Sequence, residues 1–167
     1  MKWIKDQKRK HNSELGFVSS NDILTHLFFK TSQCDVGTMA INFRNRFKFL
    51  NDTHAGNYDG QLLFTKNDYE TPQSIRIAVD TYRTRTTTRL PGLFKCLRSN
   101  FARITNWTTF YHNLEFDPEY RCKPVFHLPL RGPEDSLIKN HMVIFRPNPD
   151  EISLLYSMPG VDELSFD

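Results

Sequence analysis

Met39-Ala40-Ile41-Asn42-Phe43-Arg44-Asn45-Arg46-Phe47-Lys48-Phe49 is the stretch on which the fold assignment turns. Its alternate positions are Met39, Ile41, Phe43, Asn45, Phe47 and Phe49, and the intervening set is Ala40, Asn42, Arg44, Arg46 and Lys48. Successive side chains of a strand point to opposite faces, so this period of two reads as a strand over 39–49 with a core face and a basic ridge.

Similar signals extend on both sides. On the N-terminal side, Ser19-Ser20-Asn21-Asp22 offers N-cap chemistry ahead of Ile23, Leu24, Leu27 and Phe28, which fall at helical spacing. One short amphipathic helix ending near Thr31 is expected there. Residues 1–18 read as a polar, basic, flexible lead-in. On the C-terminal side, Asn51-Asp52 and 54–60 carry loop chemistry, and 61–66 is a short apolar strand. Residues 74–89 alternate again, with Ile75, Ile77 and Val79 on one face, and run into β-branched Thr81, Thr84, Thr86, Thr87 and Thr88.

Leu90-Pro91-Gly92 breaks that segment, and Leu93, Phe94 and Leu97 suit a single helical turn. Residues 101–116 read as a long strand or hairpin. Pro124 and Pro129 confine 125–130 to an edge or extended segment. Residues 142–146 and 152–156 bracket Pro147-Asn148-Pro149-Asp150, a turn between antiparallel strands. The expected fold is mainly β (α+β), an antiparallel sandwich or barrel of about 6–8 strands with one or two short helices. Strand–helix alternation at βαβ spacing is not visible, which disfavours a doubly wound sheet.

The chain has 167 residues, enough for one domain with its own core, and no repeat or linker marks a boundary. Only 38% of residues are hydrophobic, but 14 are Phe, and each aromatic ring buries a large area. No apolar run approaches the roughly 20 residues of a spanning helix. The basic N-terminus has no apolar segment behind it, so a secretory signal is not expected. Cys34, Cys96 and Cys122 are odd in number and far apart, which argues against a disulfide framework and for a reducing, intracellular setting (cytoplasm or nucleus of a host cell, or a virion).

Catalytic and cofactor signatures are sparse. The seven glycines are scattered singly, with neither a dinucleotide-binding nor a P-loop spacing. No cysteine or histidine pair has zinc spacing. No cofactor or metal is expected, and the protein reads as a non-enzyme. His112, His127 and His141 fall in or beside expected strands and can converge with Asp117 or Glu119 for acid–base work, or be ordinary strand histidines. Cys96 lies near Lys95 and Arg98, which favour a thiolate, although its short apolar turn equally suits buried filler.

The charge distribution carries the functional expectation. Net charge is only +3. Lys2, Lys5, Lys8, Arg9 and Lys10 crowd the start, whereas Asp150, Glu151, Asp162, Glu163 and Asp167 make the end acidic, 160–167 forming an acidic tail. Head-to-tail self-association or a polyanion-binding arm is expected from that polarity. Arg76, Arg83, Arg85, Arg89, Lys95, Arg98 and Arg103 follow one another with Asp80 as their only carboxylate, and Arg83, Arg85 and Arg89 share one face of the expected strand. With Arg44, Arg46 and Lys48 they suit bidentate phosphate binding, and Tyr82, Trp107 and Tyr111 are candidates for base stacking.

The expected function is a non-enzymatic structural or assembly protein of the viral matrix, capsid or movement-protein type. Its polyanionic partner is nucleic acid or an acidic membrane surface, and no small-molecule substrate is inferred. A cellular nucleic-acid-binding module is one alternative, and a small hydrolase or nuclease with a His/Asp/Glu cluster is another.

Overall fold

The computed structural model describes residues 2–56, 58–82, 99–109, 129, 139–162, 164 and 165. Its elements are α1 (Lys2–Leu15), α2 (Ser20–Ser32), β1 (Val36–Asn42), β2 (Asp59–Phe64), α3 (Pro72–Thr81), β3 (Phe101–Asn106), β4 (Asn140–Phe145) and β5 (Ser153–Ser157). The strands form one mixed, open sheet in the order β2-β1-β3-β4-β5. Its centre is parallel, β1 with β3 and β3 with β4, while β2 and β5 run antiparallel at the two edges.

The fold is therefore α+β, and the expected sandwich or barrel of six to eight strands is corrected to a five-stranded open sheet with three helices. The main reason lies in 74–81. Ile75, Ile77 and Val79 alternate, yet the segment is helical: Thr71 is extended, its Oγ1 accepts the Ser74 N–H at 3.1 Å, and Pro72 occupies the first turn. Ile75, Ala78 and Val79 are buried at helical spacing, and Ile77 points outward, 42% exposed.

The basic lead-in also folds differently from expectation. Residues 2–15 are helical, with Trp3 and Ile4 packed against the core, and the Asn12 side chain accepts the Val18 N–H where the chain turns into α2. Helix α2 is as expected. Ser19 and Asp22 form a reciprocal capping box, the Ser19 Oγ accepting the Asp22 N–H and the Asp22 carboxylate accepting the Ser19 N–H. Ile23, Leu24, Phe28 and Phe29 are all at most 2% exposed.

Helix α2 lies across the sheet, and its Phe29 ring occupies the space that the missing side chain of Gly37 leaves on β1. Phe29 also packs on Phe64 and Tyr69, with centroids 5.7 and 5.5 Å apart. Met39, Ile41, Leu62, Phe64, Ala102, Ile104, Met142 and Ile144 supply the sheet's side of this core. The β4–β5 hairpin matches the expectation, with Met142 opposite Tyr156 and Val143 opposite Leu155 around the 147–150 turn. The strand read over 61–66 is β2. Among the described residues no helix is long and apolar enough to cross a membrane.

Strand β1 stops at Asn42, short of the expected Phe49. Met39 and Ile41 are buried as read, but Phe43–Phe49 is a bonded turn. The Asn42 carboxamide oxygen accepts the Arg44 N–H at 3.0 Å, and the Asn45 N–H donates to the Leu50 carbonyl at 2.8 Å. Asn45 takes a left-handed conformation, φ 61°, which a strand cannot continue through. The basic ridge of Arg44, Arg46 and Lys48 is thus not a strand face, and Phe47 and Phe49 are exposed. The segments read over 83–89, 93–98, 110–116 and 125–128 lie outside the described residues.

Candidate anion-binding cleft

Strands β1, β3 and β4 run parallel, so their carboxyl ends share one edge of the sheet. The loop from β1 to β2, residues 43–58, is far longer than the two to five residues typical of a hairpin connection. It folds back toward the N-terminal end of α2 and the exposed side of α3. Between them lies a cleft of about 1000 Å³ lined by Asn21, Asn42, Arg44, Arg46, Arg76 and Asn106, among others.

Each guanidinium is held by a different device. Arg44 donates through Nε and Nη2 to the His54 carbonyl at 3.3 and 3.1 Å, and through Nη2 to the Gly56 carbonyl, while its Cζ lies 5.0 Å from the Tyr58 ring centroid. Arg46 donates to the Val79 carbonyl at 3.4 Å in the last turn of α3, where carbonyls lack helical partners, and rests over the Tyr82 ring at 5.7 Å. Arg76 grips Asp80 with two hydrogen bonds, of 3.1 and 2.8 Å, and lies 3.5 Å from Asp22.

Asp22 is fully buried beside the cleft, and its Oδ1 has no hydrogen-bond partner among the described residues. Burial pushes its carboxyl above the usual carboxylate range, against the lowering effects of the Ser19 hydrogen bonds and of Arg76. Asp52, the other acidic lining residue, accepts from the Asn45 amide at 2.9 Å. Asn106 holds the floor: its Nδ2 donates to Asn21 Oδ1 at 3.0 Å, and its Oδ1 accepts the Thr108 N–H at 2.9 Å.

The charge balance follows from these pairings. Asp80 and Asp22 offset Arg76. Arg44 and Arg46 are bonded to backbone carbonyls, which orient the guanidiniums without cancelling their charge. Such an arrangement accepts anionic oxygens, with phosphate and carboxylate the groups whose geometry fits an arginine fork.

Of the arginines and lysines singled out from sequence, the structure brings Arg44, Arg46 and Arg76 together. Lys48 is exposed on the 43–49 turn away from the cleft lining, and Arg103 projects from β3 on the face opposite Ala102 and Ile104. Arg83, Arg85, Arg89 and Arg98 lie outside the described residues, as do Tyr111, Cys96, His112, His127, Asp117 and Glu119. Tyr82 caps α3 in a left-handed conformation and packs edge-on against Phe43. Trp107 follows β3 and is half-buried, its backbone N–H donating to the Ile144 carbonyl at 2.7 Å. His141 sits on β4 opposite Ser157 and Arg103.

Sequence reasoning missed the parts that come from the fold. Asn21 reads locally only as N-cap chemistry and Asn106 only as part of a strand, because their contact joins the start of α2 to the end of β3. Cys34 is buried, and burial pushes its thiol up to about 11, so it behaves as core filler. Among the described residues no three His, Cys, Asp or Glu side chains gather where a metal ion could be held. Compared with models of known protein families and with curated proteins, the chain finds no match.

Proposed function

We propose that the protein is a binding module for a polyanionic partner whose phosphate groups enter the cleft at the carboxyl edge of β1 and β3. One observation carries this reading: Arg44 and Arg46, anchored on backbone carbonyls, line the same cleft as Arg76. Guanidiniums fixed in this way lose little side-chain freedom on binding. Asn42 adds an amide whose Nδ2 has no partner among the described residues. The arginines of 83–98 follow Tyr82 in the sequence and lie outside the described residues.

A structural or assembly role of the viral matrix, capsid or movement-protein type, in an intracellular setting, belongs to the same reading. It draws on the basic segments and on the free, buried thiol of Cys34. Self-association would pair the basic first helix with the acidic tail. Deleting 1–12 would strip Trp3 and Ile4 from the core, so the cleaner test is charge reversal at the exposed Lys2 and Lys5. Light scattering should then report smaller assemblies, and unchanged scattering removes the idea.

A compact phosphorylated molecule is a second reading, favoured by the concave shape and by a volume within the range of small-molecule sites. The test is salt-dependent binding to single-stranded RNA, duplex DNA, acidic liposomes and a mononucleotide. A steep loss of polymer binding with added salt, with weaker binding and a shallower salt slope in Arg46→Gln, supports the polyanion reading. Binding of the mononucleotide alone supports the second, and binding of none of the four removes both.

A further inference from the structure

The turn that carries Arg44 and Arg46 also exposes aromatic rings that the core does not use. Phe49 is 76% exposed and Phe47 38%. Their rings lie parallel, 5° between planes, with centroids 5.6 Å apart. The stack is rooted from below, because Phe47 packs on Phe43 at 5.4 Å and on Tyr82 at 5.5 Å, and Phe43 packs on the core. Gly60 on β2 leaves the space that the Phe43 ring fills. Arg46 touches both features, since it rests over Tyr82 and lines the cleft.

Exposed ring faces linked to Arg46 through the Tyr82 ring match the two parts of an unpaired nucleotide. Every base offers a π-face to a stacking ring, and its phosphate seeks an arginine fork. A lipid headgroup supplies the phosphate but no planar ring. We propose that Phe47 and Phe49 form a stacking platform for an unpaired nucleobase whose phosphate lies in the cleft. The proposal rests on the anion-binding reading of that cleft. A free nucleotide and an exposed base of a single strand share this chemistry.

The test compares three probes on the full chain: etheno-adenosine diphosphate, a short single-stranded RNA containing 2-aminopurine, and tripolyphosphate, which has no base. Phe49 is exposed, so Phe49→Ala should fold as the parent does, and circular dichroism checks that it has. Phe49→Ala should weaken binding of the base-bearing probes by about tenfold and leave tripolyphosphate binding unchanged, and Phe49→Trp should restore the loss. Fluorescence anisotropy of the two base-bearing probes reads their binding. Binding of the free nucleotide points to a nucleotide ligand, and binding of the strand alone to a nucleic acid. Equal nucleotide affinity in parent and Phe49→Ala, with a loss in Arg46→Gln, overturns the platform and leaves the cleft standing. If the parent binds none of the three probes, the cleft reading falls and the platform with it.

Discussion

Arg76 on α3 reaches Asp22 at the start of α2, its Nη1 3.5 Å from the carboxylate Oδ2, and so joins two helices at the edge of the cleft. Asp22 is fully buried and also caps its own helix, whereas Arg76 keeps some exposure and divides its donors between Asp22 and Asp80. Removing Arg76 leaves the buried carboxyl without its cation. Arg76→Met should lower stability by about 1–3 kcal/mol, less than for a fully enclosed ion pair because Arg76 is partly solvated. Adding Asp22→Asn should recover part of that loss, measured by urea unfolding of the two single variants and the double variant. Additive losses would show that the two groups do not interact.

Gly37 faces the ring of Phe29 so closely that a β-carbon there would lie 2.7 Å from two ring atoms. The ring is fully buried and held by Phe28, Phe64 and Tyr69, so it has little room to move. Gly37→Ala should therefore destabilise the protein by about 1–3 kcal/mol despite alanine's better strand geometry. Pairing it with Phe29→Leu should restore part of the loss, as read from thermal unfolding midpoints.

His26 gives the fold an acid-sensitive point. Burial holds its imidazole below the ordinary value of 6.5, with smaller lowering effects from Lys30 and His11, while its Nδ1–H donates to the Tyr69 carbonyl at 2.8 Å. The folded state resists a proton that the unfolded chain accepts, so stability is lost as pH falls through 6.5 toward the lower folded value. The unfolding temperature should drop between about pH 7 and pH 5, and His26→Gln should flatten that drop. An identical slope in the variant would assign the acid sensitivity to other groups.

Legibility in the sequence followed how local each signal was. Helix α2 was readable because Ser19 and Asp22 satisfy each other's backbone within one turn, and the β4–β5 hairpin because two prolines and Asp150 mark its turn. Helix α3 was hidden by the alternation of Ile75, Ile77 and Val79, which outweighed a local start signal already present in Thr71-Pro72. Ala78 beside Val79, one turn past Ile75, completes the helical stripe. Strand β1 was overextended because the aromatic alternation continues past Asn42, although those rings decorate a turn. The parallel pairing of β1, β3 and β4 depends on crossovers between distant segments, which single-strand patterns do not encode. The arginines of the cleft were visible as charge, but their convergence depends on where the 43–58 loop and α3 come to lie.

The direct check on the cleft is an NMR titration with tripolyphosphate, following arginine Nε–H and asparagine Nδ2 signals. Saturable shifts at Arg44, Arg46 and Asn42, with Arg103 unmoved and the shifts reversed by salt, are the expected result. Shifts confined to Arg103 and the basic first helix, with the cleft signals still, would contradict the assignment of this cleft as the anion site.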